Sequence, residues 1–127
     1  MKLETQNWVE DADYDLQSAK AMLDGGRYFF VVFMCHLTIE KLLKAVIVEK
    51  TGTSPPRIHN LVGLAARCGL DIPDRHRQLV NQLDNMSVVT RYPDGRRQIA
   101  DALTEERVNS MFSDTMEFAE WIRAELD

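Results

Sequence analysis

The sequence has little cysteine, little glycine and no excess of positive charge, and each shortage excludes a class of protein. Its two cysteines, Cys35 and Cys68, form neither a CxxC pair nor a Cys/His finger, so two buried, reduced thiols in a cytosolic protein are expected. The six glycines form no phosphate-binding loop. The formal net charge of -5 argues against a protein whose main task is covering nucleic-acid phosphates.

The sequence also lacks an apolar run long enough to cross a membrane. Its most apolar stretch, residues 27–50, is interrupted by Glu40, Lys41 and Lys44 well short of the roughly 20 apolar residues that a span needs. Residues 1–16 contain no apolar signal core, so secretion is not indicated. We therefore expect a cytoplasmic protein without a membrane partner.

The stretch 27–50 is the most informative part of the chain. Its apolar residues occupy nearly the whole circumference of a helix, which is typical of a helix surrounded by others. The length of 127 residues fits one domain, and a hydrophobic share of 45% with 28% charged residues is typical of a globular protein. We predict a single domain, 1–127, with this stretch as its central helix.

Other helices are indicated on both sides of the central one. Thr5 is predicted to cap a first helix that ends at Gly25-Gly26, and the short turn there makes the two helices antiparallel neighbours. Short helices are predicted from residue 60 to 68 and from Asp74 onward, and Thr104 is predicted to begin the last one. Residues 88–100 contain Pro93 and Gly95 and are predicted to be irregular. Because strand-like alternation is nowhere sustained, the class is all-α: an antiparallel up-down bundle of four to five helices.

Three surface features follow from the same patterns. The alternating Asp11, Asp13 and Asp15 lack the glycine and distal glutamate of a calcium loop and are interpreted as a solvated face. Arg75-His76-Arg77 is interpreted as a solvated helix start that can extend a basic face with Arg96 and Arg97. Large apolar residues on more than one face of the first and last helices predict a homodimer. They include Trp8, Tyr14, Phe118 and Trp121.

Polar residues interrupt the central helix in a regular way. His36, Glu40 and Lys44 recur every fourth residue and so share one helix face, and Lys41 lies beside that row. A buried charge is costly unless it is paired or faces water. The row therefore either lines a cleft or consists of an ion pair between Glu40 and Lys44 at the edge of an interface.

Two loops carry residues that can join this row. If they fold onto the central helix, His59 and Arg91 converge on Glu40 and Lys44 as an anion site, in which Arg91 binds a phosphate and Tyr92 stacks on a base. The alternatives are a capping role for His59, a structural ion pair for Arg91 and a packing role for Tyr92. No metal, cofactor or catalytic residue is predicted, because the histidines have no ligand spacing and no nucleophile elbow is present.

The residue pattern resembles the HEPN (higher eukaryotes and prokaryotes nucleotide-binding) domain along almost the entire chain. The resemblance rests on the order and spacing of several short motifs. They are Trp8 with Ala12 and Asp15-Leu16, Gly26-Arg27-Tyr28, Glu40-Lys41-x-x-Lys44, Pro56-x-x-His59-x-Leu61 and Arg91-Tyr92-Pro93-Asp94. It implies a helical homodimer, a nucleotide or RNA ligand, and a minimal nucleotidyltransferase partner in a toxin–antitoxin pair.

The resemblance also implies that active members of the family are metal-independent ribonucleases, in which four to six residues separate an arginine from the histidine that follows it. None of the three histidines, His36, His59 and His76, has an arginine at that distance before it. The sequence therefore favours a non-catalytic module that binds a nucleotide, an RNA-like anion or a nucleotidyltransferase. Two alternatives stay open: a ribonuclease that uses His59 or His36 with Arg91, and a purely structural dimerisation bundle.

Overall fold

The predicted all-α class is confirmed by a computed structural model, which describes residues 1–89 and 92–127. Over these ranges the secondary structure consists of six α-helices. They are α1 (Leu3–Asp24), α2 (Tyr28–Thr51), α3 (Leu61–Arg67), α4 (Asp74–Val89), α5 (Pro93–Ala100) and α6 (Glu105–Leu126). Among these helices, none is both long and apolar enough to cross a membrane.

The central position of α2 determines the architecture. It packs against α1, α3, α4 and α6, and it supplies buried side chains on nearly every side. Val31, Ile39 and Leu43 are completely buried. Each side chain of this kind stabilises the fold by about 1.5 to 3 kcal/mol relative to an exposed one. The apolar residues that occupy nearly the whole circumference of α2 are therefore explained by helices packed around it.

The turn between α1 and α2 depends on the second glycine of its pair. Gly26 has φ 71°, a left-handed conformation that costs other residues about 1 to 2 kcal/mol. The Arg27 N–H donates to the Met22 carbonyl at 2.8 Å and closes the last turn of α1. The chain reverses within three residues, so α1 packs along α2 as predicted.

The start of α1 differs from the prediction. The helix begins at Leu3, and Thr5 is a completely buried residue inside it rather than its cap. The Lys2 backbone N–H donates to Glu49 Oε1 at 2.9 Å, and the Lys2 ammonium donates to the Glu49 carbonyl at 3.0 Å. The first of these bonds lowers the pKa of the Glu49 carboxyl. Contacts with the end of α2 thus hold the chain start in place of a local cap.

The prediction that residues 88–100 are irregular is wrong at residues 88–89 and 93–100, and its residues 90–91 lie outside the described residues. The structure continues α4 to Val89 and forms α5 from Pro93, which a first helical turn accepts because no N–H is needed there. A Cβ at Gly95 would lie 1.8 Å from the Val89 carbonyl oxygen, so glycine lets α5 approach the end of α4. No side chain of α5 is buried, and hence no apolar stripe in the sequence indicated this helix.

The solvated helix start predicted at Arg75-His76-Arg77 is also wrong at its middle residue. His76 is only 2% exposed and stacks on Phe118, with ring centroids 4.7 Å apart and planes 13° from parallel. Burial, followed by the charge of Arg75, lowers the pKa of His76, against a weaker opposing effect of Glu117 and Asp114. The imidazole is therefore a member of the core.

The aromatic residues that suggested a dimer surface are mostly covered. Phe118 lies entirely in the core and the two tryptophans are half-buried, so of the four only Tyr14 is exposed. The structure instead exposes Phe30 and Phe33 near the start of α2, at 55% and 53% of their surface. These two exposed rings lie on α2, whereas the prediction placed the apolar dimer surface on the first and last helices.

His76 should make the free energy of unfolding depend on pH. Its pKa in the folded protein lies below the ordinary value of 6.5, so below pH 6.5 the unfolded chain takes up a proton that the folded protein resists. The stability that neutral His76 provides is complete above pH 6.5 and is lost as the pH falls toward the lowered pKa. Urea unfolding at about pH 7.5 and 5.5 measures the loss. His76→Phe keeps an apolar ring beside Phe118 but cannot take up a proton, so its free energy of unfolding should fall less between these two pH values than that of the wild type. Equal decreases in the two proteins would contradict this role of His76.

Candidate functional site

Glu40 is the centre of a buried polar cluster on α2. Its side chain is 4% exposed. The carboxylate oxygen Oε2 accepts from the Lys44 ammonium at 3.1 Å and faces His59 Nδ1 at 3.0 Å. The other oxygen, Oε1, lies 3.8 Å from His36 Nδ1. A buried carboxylate is costly unless it is paired, and these neighbours supply the pairing.

The loop after α2 carries His59 onto this carboxylate. Gly52 ends α2 with φ 70°, and its N–H donates to the Val48 carbonyl at 2.8 Å. The chain then passes through Pro55-Pro56 and enters α3, where Asn60 accepts from the Gly63 N–H at 2.6 Å as the N-cap. His59 directly precedes this cap, so the start of α3 fixes its position over α2.

Asp84 on α4 is the residue that sequence reasoning missed. Its two oxygens accept the backbone N–H groups of Leu61 and Val62, each at 2.9 Å, at the positive end of α3. The oxygen that accepts from Leu61 also lies 3.0 Å from His36 Nε2. Asp84 therefore joins α2, α3 and α4. The one available signal was its position four residues after the buried Val80, on the edge of the apolar stripe of α4.

A pocket of about 380 Å³ lies beside this cluster. One part of its lining is apolar, and the other part carries polar and charged side chains. The lining residues are Val32, Phe33, Leu37, His36, Glu40, His59, Ser87 and Arg96. We call this the histidine pocket. A smaller pocket of about 170 Å³ shares His36, His59 and Ser87 with it.

Three of the predicted site residues line the histidine pocket, together with two further polar residues that were not predicted as part of the site. His36, Glu40 and His59 come together there as the spacing on α2 and the proline-rich loop suggested. Ser87 was not predicted, and Arg96 was considered only as part of a basic face. Ser87 reaches the site from the end of α4, and Arg96 from the start of α5, where the sequence was interpreted as irregular.

Of the other predicted residues, Lys41, Lys44 and Tyr92 do not line the histidine pocket. Lys44 bonds Glu40 but opens into another pocket beside Trp8. Tyr92 is 67% exposed at the N-terminus of α5. Arg91 lies outside the described residues, so its predicted role in binding remains a prediction.

Lys41 points to α1 instead of to the cluster. Its ammonium lies 2.7 Å from Asp15 Oδ2. Asp15 is only 8% exposed, so the interpretation of the three alternating aspartates as a solvated face is wrong at this position. Asp13 likewise pairs with Arg123 of α6. The acidic side of α1 thus anchors its neighbours.

The geometry of His59 gives it a defined tautomer. A carboxylate only accepts, so the nitrogen facing Glu40, Nδ1, carries hydrogen. No atom in the described part of the chain is hydrogen-bonded to Nε2, and the side chain is 69% exposed. The neutral ring can take a proton at Nε2, and the protonated ring can donate from Nε2 to an anion. Within the same ranges, no group of three or more His, Cys, Asp or Glu side chains is arranged to hold a metal ion.

These observations define a class of protein: an all-α bundle whose central helix lines a pocket with both apolar and polar side chains. The HEPN domain profile matches residues 5–125. The match covers nearly the whole sequence, and the chain therefore belongs to the HEPN domain family, as the resemblance predicted.

Solved structures agree with that assignment at the level of the fold. The chain is similar to TT1696 from Thermus thermophilus, with a TM-score of 0.81 and 20% sequence identity over 97% of this chain and 98% of that one. It is also similar to ST0689, an archaeal HEPN homologue, with a TM-score of 0.75 and 19% identity over the full length of both. No curated protein matches the sequence.

Asp84 should contribute more stability than the N-cap next to it. Asp84→Ala removes the acceptor of two backbone N–H groups and of His36, and should lower the free energy of unfolding by about 2 to 4 kcal/mol. Asn60→Ala removes one bond at the same helix end and should cost about 1 kcal/mol. Urea denaturation of both variants measures the difference. Equal losses would show that Asp84 does not join the three helices.

Proposed function

We propose that this chain is a non-catalytic HEPN-type module that binds a nucleotide or an RNA-like anion in the histidine pocket. The observation that carries the proposal is the mixed lining of this pocket. Phe33 and its apolar neighbours offer a surface on which a base can pack, and Arg96, together with His59 when its ring is protonated, offers donors for a phosphate. The volume of about 380 Å³ lies within the range of small-molecule sites, about 300 to 1,000 Å³.

The two carboxylates near the pocket do not prevent anion binding, because other groups in the protein already neutralise them. Glu40 is engaged by Lys44 and His59, and Asp84 by the start of α3 and His36. Among the described residues, Arg96, Ser87 and the outward nitrogen of His59 are polar groups of the lining that a ligand meets. An arginine also matches a phosphate in geometry, since its planar fork donates two parallel hydrogen bonds.

Arg96→Gln should weaken nucleotide binding, whereas Arg97→Gln should not. The two residues are neighbours on α5, but only Arg96 lines the histidine pocket. Loss of a charge-assisted hydrogen bond costs about 1.5 to 3 kcal/mol, or roughly a ten- to hundredfold increase in Kd. Calorimetric titration with AMP and with a short single-stranded RNA measures the change. Absence of binding to the wild type at millimolar ligand would contradict the proposal and favour the purely structural bundle.

A ribonuclease is the second candidate, because the Glu40 carboxylate orients the His59 ring through Nδ1, and carboxylates orient catalytic histidines in enzymes in the same way. Bound through Nδ1, His59 presents Nε2 to the solvent side of the pocket, where it can take a proton from a 2′-OH. The missing Arg/His spacing argues against this chemistry. Labelled RNA incubated with EDTA and either wild type or His59→Ala decides between the candidates. The first proposal expects no cleavage by either protein, and cleavage by the wild type alone would establish the second.

We also propose that the module is a homodimer that associates through the start of α2. The support is the exposure of Phe30 and Phe33, two large apolar side chains one turn apart on the helix. Sequence reasoning had favoured the first and last helices, of which only Tyr14 presents a comparable exposed ring among the residues considered.

Phe30→Glu should convert the dimer to a monomer, and Tyr14→Glu should leave it intact. Both side chains are exposed, at 55% and 72%, so neither substitution disturbs the core. A buried carboxylate without a partner in the interface is costly, whereas one on a free surface is not. Sedimentation at micromolar concentration measures the mass. A monomeric wild type, or dissociation caused only by Tyr14→Glu, would contradict the proposed face.

Finally, we propose a minimal nucleotidyltransferase as the macromolecular partner, in a toxin–antitoxin arrangement. Membership of the HEPN domain family supports this proposal. An adjoining reading frame for such an enzyme, and its co-purification with this chain, would agree with it. A purified nucleotidyltransferase from that frame that does not bind the chain would contradict it.

A further inference from the structure

Lys44 is a nearly buried cation that opens away from the histidine pocket. It is 6% exposed, and its ammonium donates to Glu40 Oε2 at 3.1 Å. The same ammonium lies over the Trp8 ring, 5.6 Å from the centroid. It faces a pocket of about 230 Å³, which we call the lysine pocket. The lining residues are Glu4, Trp8, Lys44, Ser54, Pro55, Pro56 and Arg57.

The ammonium of Lys44 has unused hydrogen-bonding capacity. It carries three N–H donors, and over residues 1–89 and 92–127 Glu40 is its one hydrogen-bond acceptor. The contact with the Trp8 ring is electrostatic and does not satisfy a directed donor. Two donors on a desolvated cation are therefore available to an acceptor that enters the lysine pocket.

The walls of the lysine pocket favour a flat apolar group next to that acceptor. Trp8 presents an indole ring, and Pro55 and Pro56 present rigid apolar rings. Arg57, which is exposed, adds a second cation to the lining. The volume of about 230 Å³ is below the range of drug-sized ligands, so it suits a molecule with a single ring.

We propose that the lysine pocket binds a small aromatic carboxylate. The carboxylate is bonded by Lys44 and Arg57, and its ring packs against Trp8 and the proline pair. A monoanion fits better than a dianion, because Glu4 lines the same pocket and Glu40 already holds one donor of Lys44. The lysine pocket shares no lining residue with the histidine pocket, so it is a separate site, although Lys44 bonds Glu40 of the histidine pocket.

Benzoate is the probe for this proposal, and proton–nitrogen NMR of the two indole N–H groups is the measurement. Titration should shift the Trp8 signal in a saturable way and leave the signal of Trp121, which lines no part of the lysine pocket, unchanged. Benzamide, which has the same shape without the charge, should shift Trp8 little. Acetate, which has the charge without the ring, should bind more weakly than benzoate.

Two variants test the cations, and a third is the matched control. Lys44→Met keeps the apolar stem and removes the charge, and should raise the Kd for benzoate about tenfold or more. Arg57→Gln should raise it several-fold, and because this side chain is exposed the variant decides the question if Lys44→Met does not fold. Lys41→Met removes a charge from the same helix outside the pocket, where Lys41 pairs with Asp15, and should leave the Kd unchanged.

Several outcomes would overturn the proposal. Equal shifts with benzamide and benzoate would show that the cations take no part, and equal affinities for acetate and benzoate would show that the ring takes no part. Tighter binding of phenyl phosphate would contradict the preference for a monoanion. A Lys41→Met effect as large as that of Arg57→Gln would show a general dependence on charge. If the wild-type protein binds benzoate but does not bind AMP, the result would contradict the proposed nucleotide site and leave the proposed benzoate site intact.

Discussion

The burial of one carboxylate, Glu40, at the centre of the most apolar helix is the constraint on which the arrangement depends. A charge in that position must be neutralised by groups brought to it, and the chain brings them from the preceding and following turns of α2 and from the loop after it. The loop can deliver His59 only because α3 starts where it does. That start is in turn fixed by Asp84, which also holds His36.

This arrangement explains why two polar residues of the core, His36 and Glu40, also belong to the candidate site. His36, Glu40 and His59 satisfy one another across elements that are distant in sequence, and in doing so they form one side of an open pocket. The contacts that stabilise this part of the fold therefore also shape the pocket. The ring of His59 contributes to both, since one nitrogen faces the buried carboxylate and the other remains accessible.

The sequence predicted the parts of this structure that depend on local periodicity. Apolar residues around the whole helix identified the central helix, and polar residues at every fourth position identified the polar row. Pro55-Pro56 indicated a loop that could place His59 next to that row. Three features escaped because no local pattern encodes them. Asp84 acts on a helix start 22 or more positions away, His76 is buried by stacking on a distant ring, and α5 has no apolar stripe.

The helix α5 differs from the rest of the bundle in the way it is attached. It packs on α4, with Gly95 allowing the close approach, and contributes no buried side chain, yet it brings Arg96 to the histidine pocket. Arg96 is thus specified by a stretch of sequence without a buried side chain, whereas the rest of the described lining comes from α2, α4 and the loop before α3. Substitutions in α5 other than at Gly95 would therefore change the charge at the rim of the pocket without removing a buried side chain, which makes this short helix a suitable cassette for protein engineering or evolutionary divergence.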